Sequence, residues 1–194
     1  MNNEKKLKGR DLISIGIYAA LTCVLVTAVS MIGFVPVLLP MLCIFAPLVA
    51  GIPQMLFMTK VRKFGMITMM GTIIGAFLWI TGMGYWPCIF GIVCGFLADL
   101  ICKSGGYRSA RKAMIAHGVL SIVYFGCMLP LYLNLEAYFS TRQGYGEEYV
   151  AGVAGVLQPW TLPALIIGSF AAGILGAWIG QKLLKKHFTP AGIV

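Results

Sequence analysis

Few side chains in this sequence can act as acid, base or nucleophile. Asp and Glu together number 6 and His 2 in 194 residues. Glu147 and Glu148 form a carboxylate pair, but no histidine lies near them to complete a metal-hydrolase ligand set. The histidines, His117 and His187, fall beside basic segments, where no intramembrane Ser–His pair is expected. Cysteines at 23, 43, 88, 94, 102 and 127 contain no Cys-x-x-Cys. That removes thiol-redox and zinc frameworks and leaves small apolar packing residues. A glycine-rich lysine loop for nucleotide phosphates is also missing. No residue is therefore assigned as catalytic or metal-binding, and the chain is expected not to be an enzyme. What remains is recognition chemistry. Trp79, Tyr85, Trp86, Tyr138, Tyr145, Tyr149 and Trp160 fall near one level of the chain, either as an interfacial belt or as the cap of a solute pocket.

The elements that position these residues follow from hydropathy. The chain is 59% hydrophobic and 11% charged, with mean hydropathy +0.89. A soluble domain carries roughly a quarter charged residues, so lipid must be the solvent here. No charge occurs between Asp11 and Lys60, a run too long for one helix, and Pro36 and Pro40 divide it. Lys60, Arg62 and Lys63 close the second helix, and Gly82, Gly84 and Pro87 divide the next apolar run. The reading is an all-α integral membrane protein, one domain with six transmembrane helices at about 12–34, 37–58, 64–81, 86–102, 113–134 and 160–182. The first run is too long for a cleavable signal and is expected to stay attached as a span. Asn134 to Tyr149 reads as a long polar loop.

Charge sets the orientation. Lys5, Lys6, Lys8 and Arg10 precede helix 1, and three cations separate helices 2 and 3. Lys103, Arg108, Arg111 and Lys112 separate helices 4 and 5, and Lys182, Lys185 and Lys186 end helix 6. Of 15 Lys and Arg, only Arg142 lies on the other side. The positive-inside rule then puts both termini in the cytoplasm. The net charge of +9 is thus a topology signal and not a nucleic-acid footprint.

Small residues recur at helical spacing: Gly168, Ala172, Gly176 and Gly180; Gly71 and Gly75; Gly91 and Gly95; Gly16 with Ala20, and Ala19 with Cys23. Such stripes let helices approach closely, within the chain or against a partner. Asp99 is expected to pair with Lys103 or Arg108, and His117 to bond a neighbouring carbonyl. A midplane carboxylate, which proton- or sodium-coupled transport uses, is not found.

Three segments in order carry a family resemblance: Lys8 to Ala20 (KGRDLISIGIYAA), Met58 to Gly65 (MTKVRKFG), and Phe96 to Leu100 (FLADL) before Gly105-Gly106. The chain resembles the substrate-binding S-components of energy-coupling factor (ECF) transporters, and within them the Trep-Strep subfamily. The resemblance covers essentially the whole chain. It implies an S-component-like bundle in the bacterial plasma membrane that captures a vitamin or related micronutrient from outside. It implies docking on a membrane T-component driven by two ATPase subunits, with ATP used by those partners and no cofactor in this chain. The family docks through Ala-xxx-Ala on helix 1. Here the nearest matches are Gly16, Ala19, Ala20 and Cys23, with Val24 replacing the second alanine after Ala20. The pocket is expected from the outer ends of helices 4 to 6 and outer loops 1, 3 and 5. By the same resemblance its residues are Tyr85, Trp86, Asn134, Glu136, Arg142, Gln158 and Trp160, with Tyr124 and Met128 on the floor. Glu147 and Glu148 either tune a lid or solvate a loop. Aromatic rings with one or two charges suit a flat heterocycle. Methionines at 31, 41, 83 and 128 also allow a tetrapyrrole such as haem. The alternatives are a small oligomeric channel or scaffold and a membrane enzyme of unknown type.

Overall fold

A computed structural model describes residues 7–142 and 144–188, with side chains to Lys186. Lys5, Lys6 and the side chain of His187, used above, lie outside the described residues. Helix α1 spans Gly9–Ser30 and continues as a 3-10 turn, Met31–Phe34. Pro36 opens a second 3-10 turn, Pro36–Leu38, because its fixed φ suits a first helical position. Pro40 then delays the next helix, so α2 is Leu42–Lys60 and not a helix from 37. Its internal prolines, Pro47 and Pro53, are buried against neighbouring helices. Helix α3, Met66–Leu78, ends in a π turn, Trp79–Met83, where Gly82 takes φ 93°. Helix α4 is Trp86–Ser104 and α9, the last long helix, is Thr161–Leu183.

Five stretches are long and apolar enough to cross a membrane: Gly9–Phe34, Leu42–Lys60, Met66–Met83, Trp86–Ser104 and Thr161–Lys186. The chain is a multi-pass helical membrane protein. The stretch expected as a continuous helix at 113–134 is broken instead. It comprises α5, Ala110–Ser121, a 3-10 segment, Ile122–Cys127, and α6, Leu129–Leu133. Local chemistry accounts for the break. Ser121 Oγ donates back to the His117 carbonyl at 2.7 Å, a bond that bends helices. Pro130 has no amide to continue the ladder. The segment Asn134 to Tyr149 is likewise more than a loop. Asn134 Oδ1 accepts from the Ala137 amide at 2.9 Å and starts α7, Leu135–Ser140. Glu147 and Glu148 occupy the first turn of α8, Glu147–Val156, the favourable end of its dipole.

Glycine decides which helices touch. A Cβ on Gly51 of α2 would lie 2.1 Å from the Gly176 carbonyl carbon of α9. One on Gly71 of α3 would lie 2.4 Å from the Gly91 oxygen of α4. The α2–α9 and α3–α4 pairs therefore run backbone to backbone. Gly16 on α1 is different, since a Cβ there meets nothing within 4 Å.

Asp99 corrects the expected interfacial pair. It is fully buried in α4, and its Oδ2 accepts from the Gly65 amide (2.9 Å), the Thr68 amide (2.9 Å) and the Thr68 hydroxyl (2.8 Å). Gly65 and Thr68 sit at the start of α3, and Gly65 takes φ 97°, where a side chain is strained. Since glycine supplies no capping side chain, Asp99 caps α3 from the neighbouring helix. His117 is buried in α5 with Nε2 3.2 Å from the Pro47 carbonyl of α2, the neighbour contact expected.

Candidate functional site

The chain links divide the bundle into two ends. At one end Arg10, Lys60, Arg62, Arg108 and Lys185 come together. At the other lies a cavity of about 290 Å³. Along α1 the basic end reaches Ser14 and the cavity begins at Val26, with buried Ile15, Ala19 and Cys23 between them.

Thr27, Ser30 and Met31 of α1 form one wall of the cavity. Phe77 and Thr81, with Met83 of the π turn, form a second. Tyr124 and Cys127 of the 3-10 segment, with Met128 after it, form the floor, where the tighter turn of three residues sets Tyr124 and Cys127 above one another. Helices α4 and α9 contribute no lining residue. Their glycine faces are filled by the backbones of α3 and α2, and the outer ends of helices 4 and 6 do not line this cavity.

Aromatic rings from α7, α8 and Tyr145 between them roof the cavity. Phe139 packs edge-on against Tyr138, Tyr145 and Tyr149, with centroids 5.2, 5.4 and 6.0 Å away. Tyr145 and Tyr149 lie 4.7 Å apart. Such contacts stabilise by ~0.5–1.5 kcal/mol each beyond area burial. The Tyr149 hydroxyl donates to the Gly33 carbonyl and ties α8 to the α1–α2 turn. Arg142 ties down the other side. Its guanidinium lies 3.7 Å over the Tyr138 ring and donates to the carbonyls of Tyr138 and Gly82. Tyr138 Oη also reaches Met83 Sδ at 3.8 Å. The roof is thus fastened to both turns that flank the opening.

No Asp, Glu, Lys or Arg lines the cavity among the described residues. Its polar groups are hydroxyls, its soft groups are thioethers and the Cys127 thiol, and the rest is ring face and aliphatic carbon. Burial pushes the Tyr149 phenol up to about 12, and Tyr138 shifts the same way despite Arg142 opposing it. Both stay neutral at physiological pH and present donor–acceptor hydroxyls. This chemistry suits an uncharged or weakly polar aromatic solute.

Of the nine residues expected to bind a solute, Tyr124 and Met128 lie on the cavity wall. Arg142 stands behind Tyr138, in contact with the roof but not with the cavity. The other six do not line it. Tyr85 and Trp86 stack on each other at 5.1 Å at the start of α4. Asn134 is spent on capping α7, and Glu136 is exposed on that helix. Gln158 is exposed, its Nε2 3.4 Å from the Gly155 carbonyl, and Trp160 is 70% exposed. Sequence reasoning gave Tyr138, Tyr145 and Tyr149 no binding role beyond the belt-or-cap alternative. The Tyr-x3-Tyr spacing at 145 and 149, which stacks rings on one face of a turn, was the available signal. Of the four methionines named for a tetrapyrrole, Met31, Met83 and Met128 line the cavity and Met41 does not.

A second concavity lies on the flank of α1. Gly16, Ala19, Ala20 and Cys23 line an apolar groove of about 510 Å³ whose far wall is Ile73 and Phe77 of α3. Ala19 and Cys23 are buried at its base, and Gly16 and Ala20 are exposed along it. Thr27 and Phe77 face both this groove and the cavity.

A family model described as a hypothetical bacterial integral membrane protein, Trep-Strep, matches residues 9–189. The chain belongs to that family. The match takes in every helix above, so the cavity, its roof and the α1 groove all lie inside the Trep-Strep region. No curated protein and no solved structure matches the chain.

Proposed function

We propose that this Trep-Strep protein is the substrate-capturing subunit of an ATP-powered importer of the ECF type, taking a small micronutrient from outside the cell. One observation carries the reading: a roofed aromatic cavity at one end of the bundle, separated from the other end by packed side chains. A capture subunit needs a blind pocket, whereas a channel needs a polar path through the full thickness. Here the interval between cavity and basic end is filled by Ile15, Ala19 and Cys23.

The proposal places the cavity outside, the basic end in the cytoplasm, and both termini in the cytoplasm. Six crossings follow, with the broken stretch from Ala110 to Leu133 as the fifth. Its support is that Ala110 lines the basic groove while Met128 lines the cavity, so the stretch runs from one end to the other. The distribution of cations supports the same even number.

At about 290 Å³ the cavity is at the low end of the ~300–1,000 Å³ range of ligand pockets. This favours one small ring system over a tetrapyrrole. The α1 groove is the proposed dock for a T-component helix. Phe77 and Thr27 are shared between groove and cavity, so a helix seated there would press on the cavity wall and favour release.

Native mass spectrometry of the gently solubilised protein from its own membranes tests the reading. A bound heterocycle together with T-component and ATPase subunits is the expected outcome. A bare chain in a stable homo-oligomer would replace the capture reading with a scaffold or channel.

A further inference from the structure

The basic end holds a second hollow, of about 680 Å³, that capture of a solute does not use. Its rim carries Arg10 of α1, Lys60 and Arg62 at the end of α2, Arg108 of the α4–α5 link and Lys185 after α9. All five are exposed. Asp11 is the one carboxylate in the lining among the described residues, and it is already engaged. Lys63 Nζ lies 2.7 Å from its Oδ2, and the Lys8 amide donates to the same oxygen at 2.7 Å. Cations converging from separate elements on one hollow give it a positive potential focused by low-dielectric walls.

The positive-inside rule explains why cations lie at this end. It does not explain a hollow between them or the character of its floor. Ser14, Thr59, Tyr107, Ser109 and Gln181 line the hollow beside the cations, and Met55, Met58 and Leu184 are buried beneath them. Charged and polar groups above buried methionine and leucine side chains fit a phosphoryl group joined to a hydrocarbon chain. Basic pockets between membrane helices at the headgroup level bind anionic lipids by this arrangement. We propose that the groove binds the phosphodiester headgroup of an anionic lipid of the adjoining leaflet, with Arg62, Arg108 and Lys185 on the headgroup and an acyl chain along Met58 and Leu184. The site is independent of the aromatic cavity and of its occupant.

The test uses the full chain in mild detergent with equal amounts of phosphatidylglycerol and phosphatidylcholine of matched acyl chains. Retained lipid is read by native mass spectrometry. Phosphatidylglycerol is expected to be retained about a hundredfold over phosphatidylcholine, as three cations at ~1 kcal/mol each allow. Arg62→Gln and Arg108→Gln should each lower that ratio about fivefold, the equivalent of ~1 kcal/mol per cation. Lys103→Gln should leave it unchanged, because Lys103 packs over Phe64 at 5.2 Å and does not line the groove. Equal retention of the two lipids by the unaltered protein overturns the proposal without requiring any variant to fold. An equal loss in Lys103→Gln reduces the effect to net charge and removes the site. Displacement of the lipid by millimolar inorganic phosphate reassigns the groove to a free phosphoryl anion. None of these readings depends on a solute in the cavity, so the two proposals fail separately.

Discussion

Arg142 shows how a single side chain takes a role that its charge alone would not indicate. It stands beside the cavity roof, and it serves as a clamp. Its guanidinium covers Tyr138 and holds the Gly82 carbonyl, joining α7 to the α3–α4 turn. Arg142→Ala should therefore loosen the roof without unfolding the bundle. The combined cation–π and charged hydrogen-bond loss of ~1–2 kcal/mol corresponds to a five- to thirtyfold fall in solute retention, read on the co-purifying molecule. Unchanged retention would detach the roof from binding. Asp99 makes the opposite case, a charged residue with a structural task. Asp99→Ala leaves the Gly65 and Thr68 amides without their acceptor at the start of α3. A loss of ~2–4 kcal/mol is expected, seen as a lowered thermal midpoint in detergent, with Asp99→Asn recovering part of it. Equal midpoints for wild type and Asp99→Ala would show that the cap is dispensable.

Among the elements, glycine stripes that look alike in sequence separate into two kinds. Gly51 and Gly71 meet facing backbone, and a methyl group at either would collide at 2.1 and 2.4 Å. Gly51→Ala and Gly71→Ala should each destabilise by ~1–3 kcal/mol through overpacking. Gly16→Ala should be neutral or stabilise by up to ~1 kcal/mol, because its Cβ enters open space and alanine loses less backbone freedom in a helix. The stronger test is Gly16→Trp. Its bulk would fill the α1 groove, so solute retention should persist while co-purification of a T-component is lost. Partner binding that survives Gly16→Trp would remove the groove as the dock. The sequence pattern placed small residues on α1, α3, α4 and α9, but spacing alone cannot say which face another helix already covers.

On the scale of the whole molecule, topology turns on one broken element. If Ala110 to Leu133 crosses the membrane, both termini lie on the same side. If it does not, the five long apolar stretches leave them on opposite sides. Reporter fusions at each end, one active only in the cytoplasm and one only outside, decide between these. Both termini are expected to report cytoplasm. A split result would cancel the six-crossing arrangement and with it the outward-facing cavity.

Hydropathy, proline position and charge asymmetry were sufficient to establish a multi-pass helical protein and to locate five of its apolar stretches within a few residues. Those signals are local: a helix in lipid must satisfy its own backbone, so twenty or so apolar residues declare it without reference to neighbours. The resemblance of short segments such as Phe96-Leu-Ala-Asp-Leu100 likewise pointed to the Trep-Strep family that the match over residues 9–189 shows. The site was legible only in part. Tyr124 and Met128 were expected on the cavity floor and lie there, whereas Tyr85, Trp86, Glu136 and Trp160 do not line it. Sequence carries the polarity of a loop but not its fold, and Asn134 to Tyr149 became two short helices that turn Tyr138, Tyr145 and Tyr149 inward. Tertiary packing alone decided that α4 and α9 are occupied by backbone, that Asp99 caps a helix not its own, and that the space left between α1, α2, α3 and the 3-10 segment is the cavity. Each depends on contacts between residues far apart in the chain, which no periodicity along it encodes.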